Sequence, residues 1–140
     1  MKKDASSRPA FTFQKAERLS KKKLIDELFQ EGSSFNLYPF RVQYLYKEFD
    51  SAAPVQILIS VPNKNLRKAV DRNYVKRLIR EAYRLNKEAL YNALTNNNRK
   101  LLLAFIYTSR NKGSFHTLSE SIIKILQQIA VAVDSEKNIS

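Results

Sequence analysis

The sequence predicts an α+β fold in which helices pack on one β-sheet, a single-domain α/β sandwich. Segments with apolar residues three or four positions apart, typical of helices, alternate with short segments rich in β-branched and aromatic residues, typical of strands. Their order is helix, strands, helix, strand, helix. A length of 140 residues with 44% hydrophobic residues suffices for one core, so we expect one domain over residues 14–134.

The two ends of the chain are predicted to lie outside this domain. Residues 1–13 are polar, basic and proline-containing, with too few apolar side chains to pack, so we expect a flexible basic tail. Residues 135–140 are predicted to fray at the C-terminus.

The first helix is predicted over residues 20–30. Ser20 is a suitable N-cap, and Gly32 is expected to end the helix. Its apolar stripe consists of Leu24, Ile25, Leu28 and Phe29.

Two strands are predicted to follow this helix. Residues 35–46 are rich in aromatic and β-branched side chains, and Pro39 places the first few at a sheet edge or a bulge. From Phe40 onward the strand alternates, and Arg41 and Gln43 mark the face that is expected to stay wet. Residues 55–61 are more uniformly apolar, which predicts a central strand that forms a hairpin with the first.

A long helix, predicted over residues 70–94, has two contrasting sides. The apolar side consists of Tyr74, Val75, Leu78, Ile79, Ala82 and Leu85. The other side, called here the basic face, consists of Arg72, Lys76, Arg77, Arg80, Arg84 and Lys87, with Asn73 among them.

The last two elements are a strand and a helix. Residues 101–107 form a continuous apolar run, which predicts a strand covered on both faces. Residues 117–133 return to a helical period.

The charge of the chain predicts a polyanionic partner. There are 25 lysines and arginines against 13 acids, a formal net charge of +12. An excess of this size on a small domain favours nucleic acid as the partner, with an anionic membrane surface as the second candidate. The absence of cysteine, of a long apolar run and of a secretion signal predicts a cytoplasmic protein.

The basic face is the strongest functional signal. Only Glu81 and Glu88 lie near enough in sequence to neutralise it, and three more cations, Lys64, Arg67 and Lys68, precede it. Such a row releases counterions when it binds phosphate, so nucleic-acid contact is favoured over a solvated helix face. The amide of Asn73 can bind a ribose hydroxyl or a base edge, but Asn73 can equally be an ordinary surface residue. Spacing alone favours neither role.

Aromatic residues cluster around the first helix and first strand. They could stack unpaired bases, but aromatics at this spacing are more often core residues. The cluster consists of Phe29, Phe35, Tyr38, Phe40, Tyr44 and Tyr46.

No catalytic constellation is visible in the sequence. His116 is the only histidine, the carboxylates are scattered, and two glycines cannot form a glycine-rich phosphate loop. The polypeptide alone is therefore not expected to be catalytic.

Residues 69–81, AVDRNYVKRLIRE, closely resemble the signature of the bacterial ribonuclease P protein component, an Arg-Asn-Arg core followed by Lys-Arg-x-x-Arg-Glu. Tyr74 stands where that core has its second arginine, so one RNA contact of the family is expected either to be lost or to be replaced by stacking. Ile25 and Gln43 occupy positions that are often aromatic in that family.

The resemblance implies a fold with a left-handed β-α-β crossover, similar to the ribosomal protein S5 domain 2-like fold. It also implies the accessory subunit of a ribozyme, whose RNA subunit with Mg²⁺ removes the 5′ leader from precursor tRNA. Contact with the catalytic RNA is expected at the matching cations and at neighbours on the same basic stretch: Lys64, Arg67, Lys68, Arg72, Asn73, Lys76, Arg77, Arg80 and Arg84. A cleft between the first helix and the sheet is expected to hold the single-stranded leader at Ile25, Phe29, Arg41 and Gln43. Neither DNA nor a membrane is expected as a partner.

Two other functions are alternatives to this interpretation. A ribosomal or general RNA-binding protein with a related sandwich fold would share the basic face. A stand-alone nuclease would need the carboxylate or histidine clusters that the sequence lacks.

Overall fold

A computed structural model describes residues 15–139 of the chain, with side chains described for residues 15–135. The predicted tail at residues 1–13 lies outside the described residues. The predicted α+β class is confirmed, since one four-stranded sheet carries helices on both faces. After a short 3₁₀ helix, Lys15–Glu17, the elements are α1 Lys22–Glu31, β1 Ser33–Leu37, β2 Phe40–Tyr46, β3 Val55–Ser60, α2 Ala69–Asn86, α3 Glu88–Asn96, β4 Leu101–Tyr107 and α4 Phe115–Ile139.

The strand order, β1-β2-β4-β3, corrects the predicted hairpin between β2 and β3. Strand β4 lies between them, antiparallel to β2 and parallel to β3. The reason is that β4 is apolar on both faces and its residues 101–105 are fully buried, so it occupies the centre. The eight-residue connection at 47–54 is long enough to carry β3 past it, which makes β3 an edge strand rather than a central one.

Strand β1 forms the other edge of the sheet. It pairs with β2 in a tight antiparallel hairpin whose turn contains Tyr38 and a cis Pro39, with Leu37 opposite Phe40. The edge position that Pro39 predicts is therefore confirmed.

The parallel neighbours β3 and β4 are joined through α2 and α3, so the predicted β-α-β crossover is present. Its left-handed sense stays a prediction.

The main core lies between the sheet and helices α2, α3 and α4. Phe40 and Val42 point into it from β2, as the alternation predicts, and Val75 and Ile79 from α2 meet them. Two positions on α2 differ from the prediction, because Tyr83 is fully buried while Leu85 is exposed.

Helix α1 packs on the opposite face of the sheet, above a smaller cluster that includes Leu28, Leu102 and Ala104. Gln43, predicted to stay wet, is only 6% exposed because α1 covers it, and its Nε2 donates to the Leu28 carbonyl at 3.5 Å. Arg41, on the same face, is exposed.

The ends of α1 confirm one predicted residue and correct the other. Lys21, without a side-chain hydrogen bond, is the N-cap in place of Ser20. Gly32 ends the helix as predicted, and its N–H donates to the Leu28 carbonyl. A Cβ at Gly32 would lie 2.8 Å from the Tyr44 carbonyl oxygen and closer still to that of Leu28, so only glycine fits there.

The helix predicted over residues 70–94 is broken at Lys87. The side-chain amide of Asn86 donates to the Ala82 carbonyl at 2.7 Å, a local bond that competes with the helical pattern. The end of α2 and the start of α3 therefore meet at Lys87.

Lys87, predicted on the basic face, is instead buried in an ion pair with Glu17. Tyr91 Oη donates to the same carboxylate at 2.6 Å and lies 2.9 Å from Tyr83 Oη. Burial raises the pKa of both tyrosine hydroxyls, so each stays protonated and available as a donor. This network fixes the segment before α1 to the junction of α2 and α3.

The same N-terminal segment runs along the outer edge of β3. Arg18 forms a parallel bridge with Ile57, and the Leu19 N–H donates to the Ile57 carbonyl at 2.8 Å. Part of the edge that β3 would otherwise expose is thereby covered.

Helix α4 is longer than the predicted residues 117–133, since it begins at Phe115 and continues to Ile139. The backbone of residues 135–139, which were predicted to fray, is helical. None of the helices in residues 15–139 has the length and apolar character needed to span a lipid bilayer.

Candidate RNA interface

The loop before α2, residues 62–68, displays cations on a fixed backbone. Leu66 anchors the loop in the core, and Asn65 Nδ2 donates to the Tyr107 carbonyl at 3.0 Å. Lys64, Arg67 and Lys68 are exposed. Three of the predicted RNA-binding residues therefore stand on a rigid support beside the start of α2.

Arg72 has a structural role that sequence reasoning missed. Its Nη1 donates to the carbonyls of Leu66 and Arg67, at 2.8 and 2.7 Å, and to Asn63 Oδ1 at 3.2 Å. Carbonyl acceptors of this kind leave the positive charge in place while they fix its position. Arg72 thus ties the loop to α2, and removing it would change the loop as well as the charge.

The remaining positions of the basic face lie along α2 as predicted. Asn73 and Arg77 are exposed, and Lys76 and Arg80 are half-buried. Arg84 differs from them, because its Nη2 lies 2.5 Å from Glu81 Oε2 in an ion pair that offsets much of its charge.

Lys76 and Arg80 form one wall of a groove of about 400 Å³ that we call the cationic groove. The other polar member is Arg18, and the remaining residues form an apolar floor: Leu19, Ile57, Leu58 and Ile59. Burial, followed by the charges of Arg18 and Arg77, holds the pKa of Arg80 below its ordinary value. Cations are therefore concentrated here against their mutual repulsion, which a bound anion would relieve.

Sequence reasoning missed Arg18 as a candidate site residue, since it lies about 60 positions from Arg80 and only the pairing with β3 brings the two together.

Most of the predicted RNA-binding cations have no acidic partner among the described residues. Within the part of the chain that the structure describes, no carboxylate lies within 4.0 Å of these six side chains: Lys64, Arg67, Lys68, Lys76, Arg77 and Arg80. A concentration of unpaired cations on one surface is the electrostatic footprint of a nucleic-acid-binding protein.

Tyr74 packs partly against the core, as predicted, but its ring also contacts two cations. The Arg77 guanidinium carbon lies 5.5 Å from the ring centroid, and Lys112 Nζ lies 5.3 Å from it. Lys112 comes from the loop between β4 and α4 and also lies 3.5 Å from Asp71 Oδ1.

Comparison with known proteins places this chain in a family. The family model described as Ribonuclease P matches residues 13–130, which is most of the chain. The chain belongs to the ribonuclease P protein family. It is a protein component of ribonuclease P and thus a subunit of the endoribonuclease that processes tRNA.

Relatives in sequence and in structure agree with this membership. The chain is 40% identical to the ribonuclease P protein component of Porphyromonas gingivalis over 93% of this chain and 95% of that protein. Identity to the component of Dictyoglomus turgidum is 34%, over 86% and 95% of the two chains.

Two solved structures show the same fold. The ribonuclease P protein of Thermotoga maritima matches with a TM-score of 0.64 at 24% identity, covering 80% of this chain and 96% of that one. The protein of Staphylococcus aureus matches with a TM-score of 0.61 at 22% identity, covering 83% and 96%.

The four leader-cleft residues predicted for this ribonuclease P protein lie at the contact of α1 with the sheet. Ile25 packs in the smaller cluster, and Gln43 is buried under the last turn of α1. Phe29, which is 42% exposed, and Arg41 are the members that remain open. Of the four predicted residues, Phe29 and Arg41 are exposed, whereas Gln43 is covered.

The described residues of this ribonuclease P protein contain no group of three histidines or acids placed to hold a metal ion. His116, the histidine of the sequence, is exposed and lies 3.6 Å from Glu120 Oε2.

Proposed function

We propose that this chain binds the catalytic RNA of ribonuclease P through the basic face and binds the 5′ leader of precursor tRNA beside α1. In this proposal the RNA subunit carries out phosphodiester hydrolysis, with Mg²⁺ that is held mainly by RNA. The complex acts in the cytoplasm. The observation that carries the proposal is the row of unpaired cations from Lys64 to Arg80. This row runs from the loop before α2 into the helix that carries the signature of the ribonuclease P family.

The basic face suits a folded RNA because its cations have rigid supports. Carbonyl contacts fix Arg72, the Tyr74 ring lies beside Arg77, and the cationic groove holds Arg80. Cations that are held in place before binding lose little conformational entropy when phosphates arrive. Counterion release then drives association, which should weaken steeply as salt rises.

The leader site suits a single strand for a different reason. Arg41 lies opposite Asn36 and Ile106 in the sheet, so one polar and one apolar neighbour share its exposed face. Phe29 is exposed on α1, the helix that packs on this side of the sheet. Aromatic rings together with cations are the usual combination for binding unpaired bases and their phosphates.

Replacing Phe29 by alanine is expected to weaken the binding of leader-bearing precursor tRNA by the reconstituted holoenzyme. Loss of one stacked base costs about 1–3 kcal/mol, roughly 5- to 150-fold in affinity. The measurement compares precursor tRNA with the same tRNA lacking its leader, whose binding should not change.

Phe115→Ala is the matched control, because Phe115 is exposed to a similar extent, 38% against 42%, but lies at the start of α4. Equal losses with both tRNA substrates, or no loss with either, would contradict the leader site.

A further inference from the structure

Lys112 lies beside Tyr74 of the signature helix, although the two residues are 38 positions apart in sequence. Its ammonium contacts both the Tyr74 ring and the Asp71 carboxylate. Lys112 is half-exposed, so one side of the ammonium contacts α2 and the other contacts solvent.

The loop that carries Lys112 is held in place from both sides. Tyr107 Oη donates to the Asn111 carbonyl at 2.5 Å, and the Asn111 N–H donates to Ser109 Oγ at 3.1 Å. On the other side Gly113 lies against Leu118, where an added Cβ would come within 3.0 Å of the leucine side chain. The position of Lys112 is therefore set by the loop.

Tyr107 also connects this loop to the other cation-bearing loop. Its carbonyl accepts from Asn65 in residues 62–68, while its hydroxyl donates into residues 108–114. One buried residue at the end of β4 thus anchors both loops, the first through its backbone carbonyl and the second through its side-chain hydroxyl.

Tyr74 brings two cations to one place without contributing a charge. The signature that the chain resembles has an arginine at this position, and here both Arg77 and Lys112 contact the ring instead. A cation over an aromatic face is attracted by the ring electrons, which favours the side-chain position that makes this contact. The Asp71 contact, at 3.5 Å and partly exposed, is a weak pair that leaves the ammonium able to donate to a phosphate.

We propose that Lys112 is a further RNA-binding residue of this chain and that Tyr74 is the positioning residue for it. Lys112 supplies from the β4–α4 loop the positive charge that Tyr74 does not supply from α2. The inference rests on the proposed binding of the catalytic RNA by the basic face.

The test is a double-mutant cycle on affinity for a bacterial ribonuclease P RNA, measured over a range of salt concentrations. Lys112→Ala should weaken binding by about 5- to 10-fold and reduce the salt slope by about one. Tyr74→Arg should largely cancel the effect of Lys112→Ala, because it supplies a cation directly at the same place. Tyr74→Phe keeps the ring and should bind as the wild type does.

Controls separate this inference from the proposed function. Lys124→Ala removes an exposed charge from α4 and should leave affinity unchanged. If Lys76→Ala with Arg80→Ala weakens binding while Lys112→Ala does not, the role of Lys112 is overturned and the proposed function stands. If none of these variants weakens binding, the proposed function fails. Lys112→Ala removes no buried group, so its own effect on affinity and on the salt slope still tests Lys112 if a Tyr74 variant fails to fold.

Discussion

Replacing Lys76 and Arg80 together by alanine is expected to reduce affinity for the ribonuclease P RNA by about 100-fold at about 0.1 M salt. Each lost phosphate contact costs on the order of tenfold under these conditions and lowers the salt slope by about one. Both cations line the cationic groove, and neither has a carboxylate partner among the described residues. Their removal therefore leaves no acid unpaired inside the protein.

The choice of these two residues follows from the contacts of their neighbours. Arg72 holds the loop at residues 62–68, and Arg84 is paired with Glu81, so substitutions there would mix folding with binding. The single Lys76→Ala variant is compared with Lys124→Ala, which loses the same charge from α4. Equal affinities for these two single variants would show that only net charge matters and would contradict a localised interface.

Replacing Lys87 by methionine is expected to lower the free energy of unfolding by about 3–5 kcal/mol, because it leaves the Glu17 carboxylate buried without its cation. Both side chains are only 5% exposed. Since small domains are stable by about 5–15 kcal/mol in total, a loss of this size is roughly a fifth of the stability or more. Urea denaturation of the two proteins measures it.

The control replaces both members of the ion pair by neutral residues. Glu17→Gln with Lys87→Met removes both charges and keeps an acceptor for Tyr91 Oη, so it should recover most of the lost stability. If the single variant loses less than about 1 kcal/mol, the pair does not hold the N-terminal segment as described.

Local patterns in the sequence predicted the elements of the fold but not all of their neighbours. The run at residues 101–107 correctly indicated a strand buried on both faces. The similar run at residues 55–61 suggested a second central strand, yet β3 lies at an edge. An apolar run indicates that a strand is buried, but it does not identify the strand that pairs with it. The parallel partner of β3 is more than 40 residues away.

The candidate interface shows the same limit. Helical period correctly placed Val75 and Ile79 in the core and Lys76 and Arg77 outside it. It failed at Lys87, whose burial depends on Glu17, 70 residues away.

Two further members of the interface could not be found from the sequence, because only the folded sheet brings Arg18 and Lys112 to α2. A sequence pattern identifies the charges of one element, whereas tertiary contacts decide which charges share a surface.

Reconstitution tests the central claim most directly. Cleavage of precursor tRNA by a bacterial ribonuclease P RNA is measured at low Mg²⁺, where the RNA alone is slow, with and without this chain. The chain is predicted to restore cleavage at the mature 5′ end and to cleave nothing without the RNA, and the Lys76→Ala, Arg80→Ala variant should need a higher protein concentration. Unchanged cleavage on addition of the wild-type chain, or cleavage by the chain alone, would contradict the account.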